Sequence, residues 1–411
     1  MLDINFIREN TDLVKKAVQQ KHADVDIDEL LRVDQERRKL LSEVEGLREQ
    51  RNIASKEKNI EKGKEIKNKL EDLEPKLEEV NKKFYELMIY VPNIILSDVP
   101  VGKDESENVV VRKWGEVPKF DFPVKDHIEI GALLDIIDTE TAAKVTGSRF
   151  AYLKNEAVVL QFAIIQYTLR ILQDKGFVPV LPPVMIKPDV YTKMARLDPK
   201  QAEERYYLKD DDLYLIGSAE HTMGPLHIDQ TLDEKTLPLR YVGYSTSFRR
   251  EAGSYGKDVK GILRVHQFDK IEIESFTLPE EGIKEQDFIV SIQESLMQSL
   301  NLPYQVVSIC TGDMGKPDAR QFDIETWLPG QGRYRETHTS DYMTDYQARR
   351  LNTKVKRASG KIELVHMNDA TAFALGRTII AILENYQQKD GSVRVPEVLI
   401  PYTGFSEIKP K

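Results

Sequence analysis

A sustained heptad pattern near the N-terminus constrains the fold of this chain more than any other sequence feature. Apolar side chains recur there at alternating steps of four and three residues, at Ile66, Leu70, Leu73, Leu77, Val80, Phe84, Leu87 and Val91. This spacing predicts a long helix with one apolar seam. The preceding stretch, 28–55, has a less regular seam because Arg37 and Arg51 occupy two of its positions. Two helices of about 30 residues, joined by a turn at 56–63, would form an antiparallel hairpin.

The pattern leaves the purpose of this hairpin open. A coiled coil that joins two copies of the chain shows this periodicity, and so does an arm that reaches a distant part of a ligand. Acidic and basic side chains are nearly balanced between residues 28 and 91, so charge does not separate the two alternatives.

Composition limits the class of protein. The 411 residues, 40% apolar and 31% charged, suffice for one large domain or two ordinary ones. With a net charge of -9, contacts to nucleic acid must come from local basic patches. Cys310 is the only cysteine in the sequence, which excludes a disulfide framework and a multi-cysteine zinc site. The chain shows no signal peptide and no apolar run of about 18 residues, so we expect a soluble, cytoplasmic protein without a membrane partner.

A second constrained segment lies between residues 241 and 276. Residues 241–249 are predicted to form a strand that runs into paired arginines, and 271–276 alternate Ile and Glu as a partner strand would. The loop between them carries three glycines and the basic residues Lys257, Lys260 and Arg264. Guanidinium groups on such a hairpin can bind a phosphate, and a basic loop can bind a nucleic acid. Taken alone, the pattern fits a surface hairpin with solvated charges equally well.

The order of several motifs resembles the class II aminoacyl-tRNA synthetases, and in detail the seryl-tRNA synthetases. An amphipathic helix at 157–175 and a proline-bounded strand at 177–183 resemble motif 1. Residues 248–254, Phe-Arg-Arg-Glu-Ala-Gly-Ser, and 264–272, Arg-Val-His-Gln-Phe-Asp-Lys-Ile-Glu, resemble motif 2. Residues 365–377 resemble motif 3. The resemblance extends over nearly the whole chain.

This resemblance implies an α+β fold in two domains. Residues 1–100 would form an antiparallel coiled-coil arm that grips the long variable arm and the elbow of tRNA. Residues 101–411 would form the class II catalytic domain, a mostly antiparallel sheet flanked by helices. The family works as a homodimer built on motif 1, although a helix and an edge strand within one subunit would fit the same sequence.

The implied reaction joins L-serine to ATP, giving seryl-adenylate, and transfers the seryl group to the 3′ end of serine tRNA. Selenocysteine tRNA stays open as a second acceptor. The family uses ATP with Mg²⁺ and no zinc. A synthetase-like ligase that loads carrier proteins is one alternative, but such relatives lack the arm. A non-catalytic tRNA-binding relative is another, and the charged residues that the motifs retain argue against it.

The resemblance also assigns a serine site. Ser218 and Glu220 would hold the α-amino group, with Ser218 in place of the threonine that the family has there. Glu272 would accept a hydrogen bond from the serine hydroxyl, because the family pattern selects it over Glu274 on the same face of the strand. The full predicted set is Ser218, Ala219, Glu220, Arg249, Glu272 and Thr371.

The ATP site is assigned in the same way. Arg249 and Arg377 are the predicted catalytic residues: Arg249 would bridge the serine carboxylate and the α-phosphate, and Arg377 would bind the γ-phosphate. Glu336 and Thr339 would ligate the Mg²⁺ that accompanies ATP. The predicted ATP-binding set is Arg249, Arg250, Glu251, Val265, Phe268, Glu336, Thr337, His338, Thr339 and Arg377.

Three places depart from the family pattern. Asp369 stands where the family has Asn, His338 is new at its position, and residues 191–199 lack the family's Gly-Thr-Gly and Leu-Pro-Lys-Phe sequences. The resemblance assigns no function to the loop at 191–199.

Overall fold

The computed structural model describes residues 1–252 and 260–410, in two compact units, Met1–Ile94 and Ile95–Lys411. Our proposed functional division remains 1–100 and 101–411. No helix in the described ranges is long and apolar enough to cross a membrane.

The first unit consists of four helices: α1 (Ile4–Glu9), α2 (Thr11–Gln20), α3 (Ile27–Lys56) and α4 (Ile60–Met88). The two long helices are antiparallel. Glu29, near the start of α3, pairs with Lys83 near the end of α4, and Arg48 in the second half of α3 pairs with Glu74 in α4. The predicted helical hairpin is therefore confirmed.

The two long helices pack along an apolar seam, to which the regular heptad positions of α4 contribute. Its buried core consists of Val44, Ala54, Ile66, Leu70 and Leu77. Arg37 at the irregular seam position lays its guanidinium carbon 4.4 Å from the centre of the Phe84 ring. A cation over an aromatic face is attracted by the ring, and the arginine stem covers apolar surface. Arg51, the second irregular position, is exposed.

A buried carboxylate ties α1 to α3. Asp34 is fully buried, and its oxygens lie 2.8 Å from Arg8 Nε, 3.3 Å from Arg37 Nη2 and 3.2 Å from Arg38 Nε. A carboxylate without water needs such partners, because burying an unpaired charge is costly.

We expect Asp34→Asn to loosen the first unit. The variant loses the charge that three arginines share, and charged hydrogen bonds contribute about 1.5 to 3 kcal/mol each. Hydrogen exchange of the α1 and α3 amides in the full chain measures the change in opening free energy. Asp28→Asn is the control, because Asp28 is exposed and pairs with Lys15 at the surface. Equal exchange in the two variants would contradict a structural role for Asp34.

The second unit contains an eight-stranded sheet. Its strands, in chain order, are β1 (Val109–Trp114), β2 (Val178–Val180), β3 (Leu239–Phe248), β4 (Gln267–Thr277), β5 (Tyr304–Ser308), β6 (Arg320–Leu328), β7 (Arg333–Thr344) and β8 (His366–Ala374). They lie in the order β1-β5-β6-β7-β8-β4-β3-β2. All neighbours are antiparallel except β2 and β3. The predicted mostly antiparallel α+β fold is confirmed.

The predicted hairpin of the second unit is β3 and β4, which pair from Phe248 opposite Gln267 to Leu239 opposite Phe276. Lys257 and two of the predicted loop glycines lie outside the described residues.

Three long helices cover one face of the sheet: α5 (Asn155–Asp174), α6 (Gly282–Ser299) and α7 (Leu375–Asn385). Their apolar side chains form one core with Ile271 and Ile273 of β4. Because side chains alternate along a strand, Lys270, Glu272 and Glu274 lie on the opposite face. The sheet thus separates an apolar layer from a charged one.

Short elements complete this unit. The helices are His127–Leu133, Thr139–Thr146, Pro188–Lys193, Pro199–Glu203, Glu220–Met223, Tyr346–Leu351 and Ile400–Thr403. The strands are Ile137–Asp138, Tyr152–Leu153, Met185–Ile186, Tyr207–Leu208, Leu213–Leu215, Thr231–Asp233, Lys354–Lys356, Ile362–Leu364, Val393–Arg394 and Glu407–Ile408.

Candidate active site

A pocket of about 600 Å³ lies on the charged face of the sheet. Strands β4, β6, β7 and β8 contribute to its wall, together with both ends of the loop that joins β3 to β4. The predicted residues that line it are Glu220, Arg249, Glu251, Val265, Phe268, Glu272, Glu336, Thr337, Thr339, Thr371 and Arg377. The fold therefore brings together most of a set that is scattered over more than 150 residues of sequence.

Glu272 is the centre of a buried hydrogen-bond cluster. Its Oε1 accepts from Ser218 Oγ at 2.9 Å and from Thr371 Oγ1 at 3.2 Å, and it contacts the ammonium group of Lys270. Lys270 also donates to Ser218 Oγ at 2.9 Å. Thr371 reaches Glu272 because the two are register partners on β8 and β4.

Burial raises the pKa of Glu272 to about 7, with the negative charge of Glu220 adding to the rise and the Lys270 ammonium opposing it. When it is unprotonated, this buried carboxylate is a strong hydrogen-bond acceptor that water does not already satisfy. The cluster is therefore suited to a small ligand that carries a hydroxyl group.

Glu220 lies beside this cluster. Its Oε1 is 3.3 Å from His221 Nε2, and its Oε2 is buried without a hydrogen-bond partner among the described residues. Burial raises the pKa of Glu220, but the positive charges of Lys270 and Arg196 and the neighbouring imidazole together hold that pKa below its usual range. The unpaired oxygen of an ionised carboxylate can accept an ammonium group from the pocket.

The contacts of His221 define its protonation. Its Nδ1 accepts the backbone N–H of Gly217 at 3.1 Å and lies 2.9 Å from the hydroxyl of Tyr191. Burial lowers the pKa of His221 well below its usual value. Since Nδ1 is an acceptor and the ring is neutral, the single ring proton is on Nε2 and points at Glu220. His221 therefore orients the carboxylate.

Arg249 is fixed at the mouth of the β3–β4 hairpin. Its Nε donates to the carbonyl of Gly217 at 3.1 Å, and its guanidinium carbon lies 5.2 Å from the centre of the Phe268 ring. Nearby, Glu251 pairs with Arg264, whose Nε lies 2.9 Å from Glu251 Oε2. Arg264, predicted as a basic loop residue, thus pairs with a predicted ATP-binding residue.

Arg377 and Glu336 meet at the start of α7. Arg377 Nη1 donates a hydrogen bond to the backbone carbonyl of Glu336 at 2.7 Å. The same nitrogen lies 3.1 Å from the carboxylate oxygen Oε1 of Glu336. Although the side chain of Glu336 is half exposed, the positive charges of Arg377, Lys270 and Arg249 hold its pKa below its usual range. The two residues predicted to bind the γ-phosphate and the metal are neighbours.

A second carboxylate, Asp323 of β6, faces the same part of the pocket. It pairs in register with Thr339, and Gln321 Nε2 donates to both Thr339 Oγ1 at 3.2 Å and Asp323 Oδ1 at 3.3 Å. Burial and the negative charge of Glu336 raise the pKa of Asp323 well above its usual value. Two carboxylates that disfavour each other's ionisation gain from a shared cation. No group of three or more His, Cys, Asp or Glu in the described ranges could hold a metal ion alone.

Comparison with known proteins places this site in a family. The model of the tRNA synthetase class II core domain (G, H, P, S and T) matches residues 205–386, and that of the seryl-tRNA synthetase N-terminal domain matches 1–95. A serine–tRNA ligase from Dictyoglomus thermophilum is 43% identical over 425 aligned residues, with 100% of both chains covered. The chain belongs to the seryl-tRNA synthetase family. The family resemblance inferred from the motifs is thereby confirmed.

Other relatives agree. A serine–tRNA ligase from Thermotoga neapolitana is 44% identical, covering 99% of this chain and 100% of its own. The crystal structure of seryl-tRNA synthetase from Pyrococcus horikoshii complexed with ATP is 41% identical, with a TM-score of 0.91 and 100% of both chains covered. The crystal structure of the cytoplasmic serine–tRNA ligase from Naegleria fowleri in complex with AMP is 33% identical, with a TM-score of 0.89. The match covers 100% of this chain and 99% of the Naegleria chain.

Two predicted ATP-binding side chains of this family member lie outside the pocket. His338 is fully buried on the helical side of the sheet, where its ring packs 5.2 Å from the Phe373 ring and its Nδ1 lies 2.8 Å from Thr337 Oγ1. Burial lowers its pKa to about 3. Arg250 is exposed and does not line the pocket.

A β-bulge explains the position of His338. The β6–β7 register shifts between Ile324 and Glu325, so that Thr337 has no register partner on β6. An extra residue in one strand reverses which face the following side chains point to. Glu336 and Thr339 consequently both line the pocket, and His338 between them does not.

Of the predicted serine-site residues, Ser218 and Ala219 are fully buried in the turn behind the pocket wall. Sequence reasoning missed Lys270, Asp323 and His221. Lys270 could have been found, because strand alternation places it on the face of Glu272. His221 could not, since its role depends on a contact with Tyr191.

We expect His221 to stay neutral in the pH range around 6.5 in which a free imidazole titrates, with its proton on Nε2. Because the unfolded chain takes up a proton at His221 below pH of about 6.5, folding stability should fall as the pH drops through that value. Ring ¹⁵N chemical shifts, assigned with a His221→Asn variant, measure the tautomer. A ring signal from His221 that titrates in this range would contradict the assignment.

Proposed function

We propose that this protein is a serine–tRNA ligase. It activates L-serine with ATP, giving seryl-adenylate and pyrophosphate, and then transfers the seryl group to the 3′ end of serine tRNA. The observation that carries the proposal is the buried Glu272 cluster, which includes two hydroxyl groups and a lysine beside the unpaired oxygen of Glu220. Relatives named serine–tRNA ligase that match over the full chain support it.

The proposed serine subsite has a separate partner for each polar group of the amino acid. The α-ammonium group binds Glu220 Oε2, and the side-chain hydroxyl donates to Glu272 with Thr371 alongside. The carboxylate faces Arg249. Alanine would leave the Glu272 acceptor without its ligand partner, and such sites can reject the analogue by about 10⁴ to 10⁵.

The first step needs no protein nucleophile. A serine carboxylate oxygen forms a bond to the α-phosphorus of ATP, the bond from that phosphorus to the bridging oxygen breaks, and pyrophosphate leaves. Arg249 neutralises the charge on the α-phosphate, and Arg377 holds the far end of the triphosphate. Catalysis then comes from positioning and from electrostatic stabilisation of the transition state.

Adenine binds between the two ends of the β3–β4 loop, against Phe268, Val265 and Glu251. In the second step, a hydroxyl at the 3′ end of the tRNA attacks the carbonyl carbon of the adenylate, and AMP leaves. Solved structures of relatives complexed with ATP and with AMP support a nucleotide as a substrate of this protein.

The residues around Glu336 fit a magnesium ion that arrives with ATP. Glu336, Asp323 and the Thr339 hydroxyl supply the hard oxygen atoms that Mg²⁺ prefers. The raised pKa of Asp323 indicates a place where a cation would relieve repulsion between carboxylates. When bound, the ion would neutralise part of the triphosphate charge.

We also propose a homodimer. Helix α5, the edge strand β2 and the residue that follows it present exposed apolar side chains: Val158 at 37%, Val159 at 39%, Phe162 at 51%, Val178 at 54% and Leu181 at 79% exposure. Such a surface on the segment that resembles motif 1 suits a second copy of the chain. Sedimentation of the purified protein tests the assignment, and a monomer would contradict it.

The first unit serves as the tRNA-binding arm in this proposal. It matches the seryl-tRNA synthetase N-terminal domain. Its long helices carry exposed lysines and arginines that can contact phosphates. We also propose that the protein acts in the cytoplasm, where tRNA and ATP are both present.

The test of the function has two arms. In the first, exchange of labelled pyrophosphate into ATP should depend on serine and not on alanine. In the second, serine tRNA should accept labelled serine. A variant that lacks residues 27–88, with a short linker, should keep the exchange and lose most of the charging. Exchange that does not depend on serine would overturn the proposed function. Full charging of serine tRNA by the variant without the arm would show that the arm does not bind tRNA in the reaction.

We expect Arg249→Ala to lower the serine-dependent exchange by about 10² to 10³, because it removes a preorganised charge at the reacting centre. Arg250→Ala is the matched control. Arg250 is adjacent in sequence but exposed, so its variant should retain most of the rate. Similar losses in the two variants would show that the hairpin acts as a general basic surface.

For Glu272→Ala, we expect serine activation to collapse and the preference for serine over alanine to fall by at least about 10². The reason is that the hydroxyl of serine loses its acceptor. Glu274→Gln provides the control, because Glu274 is buried on the same face but does not line the pocket. Rates with serine, alanine and threonine measure the effect. An unchanged serine-to-alanine ratio in Glu272→Ala would move the specificity site elsewhere.

A further inference from the structure

A row of three buried carboxylates crosses the sheet next to the serine cluster. Asp369 of β8 is the register partner of Glu274 on β4 and of Asp341 on β7. Their exposures are 3%, 0% and 5%. Burial and the negative charges around them raise the pKa of Glu274 and Asp341 well above the usual range and that of Asp369 to about 6. Such a row needs a cation or bound protons.

Arg196 is a cation that contacts this row. Its Nη2 lies 3.1 Å from Asp369 Oδ2 and 3.5 Å from Asp341 Oδ2. The arginine follows the helix Pro188–Lys193, and the chain turns through Ala195, which has a left-handed φ of 58°. The side chain lines the pocket, and its Nε is buried without a hydrogen-bond partner among the described residues.

Both members of the Arg196–Asp369 pair fall where the sequence departs from the family pattern. Asp369 replaces an asparagine, and Arg196 belongs to the divergent segment 191–199. In the structure the two residues meet as one ion pair.

This interaction lies beside the serine subsite. Glu272 and Thr371 form the next pair on the same face of β4 and β8 after Glu274 and Asp369. Neighbouring pairs on one face are about 7 Å apart. The positive charge of Arg196 also helps to keep Glu220 ionised. Arg196 thus acts on both residues that would bind serine: Glu220, the partner of its ammonium group, and Glu272, the partner of its hydroxyl group.

We propose that Arg196 is a positioning and specificity-determining residue of the amino-acid site. Its ion pair with Asp369 fixes the wall beyond Glu272 and Thr371, balances the charge beside Glu220, and closes the subsite to side chains larger than that of serine. The inference rests on the proposed serine activation.

The experiment is a double-mutant cycle of Arg196→Gln, Asp369→Asn and the double variant. Arg196→Gln leaves buried carboxylates without their cation, whereas the double variant removes both charges. Serine-dependent and threonine-dependent exchange, the KM for ATP and thermal unfolding are measured for each. Serine-dependent exchange by the wild type tests the proposed function separately.

We expect Arg196→Gln to raise the serine KM by at least about tenfold, to change the ATP KM by less than about twofold, and to weaken the preference for serine over threonine. The double variant should recover most of the serine KM. A serine KM unchanged in Arg196→Gln, or one that rises together with the ATP KM, would overturn the proposal.

If Arg196→Gln does not fold, the double variant decides. A folded double variant with a serine KM within about threefold of the wild type supports the charge balance. A folded double variant with a serine KM raised by about tenfold or more overturns it.

Discussion

The buried contact between Lys270 and Glu272 is the interaction on which the site depends. It is possible because β4 alternates, with Ile271 and Ile273 in the apolar layer and the charged residues on the other face. The ammonium group of Lys270 opposes the rise in pKa that burial causes in Glu272. The hydroxyl groups of Ser218 and Thr371 converge on the same carboxylate oxygen. The side chains of the proposed serine subsite are therefore held by hydrogen bonds within the protein, and such preorganisation lowers the cost of binding.

The pocket as a whole balances charge between two regions. At the inner end, Lys270 and Arg196 face Glu220, Glu272 and Asp369. At the outer end, the arginines of motifs 2 and 3 lie beside carboxylates that suit a cation. A zwitterionic amino acid fits the first region, and a triphosphate with its metal fits the second. The reacting atoms would meet between the two, where Arg249 stands.

The sequence predicted the helical hairpin, the mostly antiparallel sheet flanked by helices, and a set of site residues most of which line the pocket, because periodicity and motif order can be read without knowing the fold. It failed where position depends on distant contacts. Arg37 interrupts the heptad seam, yet Phe84 on the other helix accommodates it. The tautomer of His221 depends on Tyr191, and Arg196 belongs to a segment that matches no motif. The family resemblance assigned His338 to the ATP site. No local sequence pattern predicts the bulge at Thr337, which leaves the His338 side chain on the helical face of the sheet beside Phe373.

That bulge has a consequence for how the strand tolerates insertions and deletions. Deleting Thr337 alone would restore regular pairing and alternation, with Glu336 and Thr339 still on the pocket face and His338 still on the helical face. A one-residue deletion in the regular part of β7, by contrast, would move the side chains on one side of it to the opposite face of the sheet. A change of length in β7 should therefore be tolerated at the bulge and nowhere else in the strand.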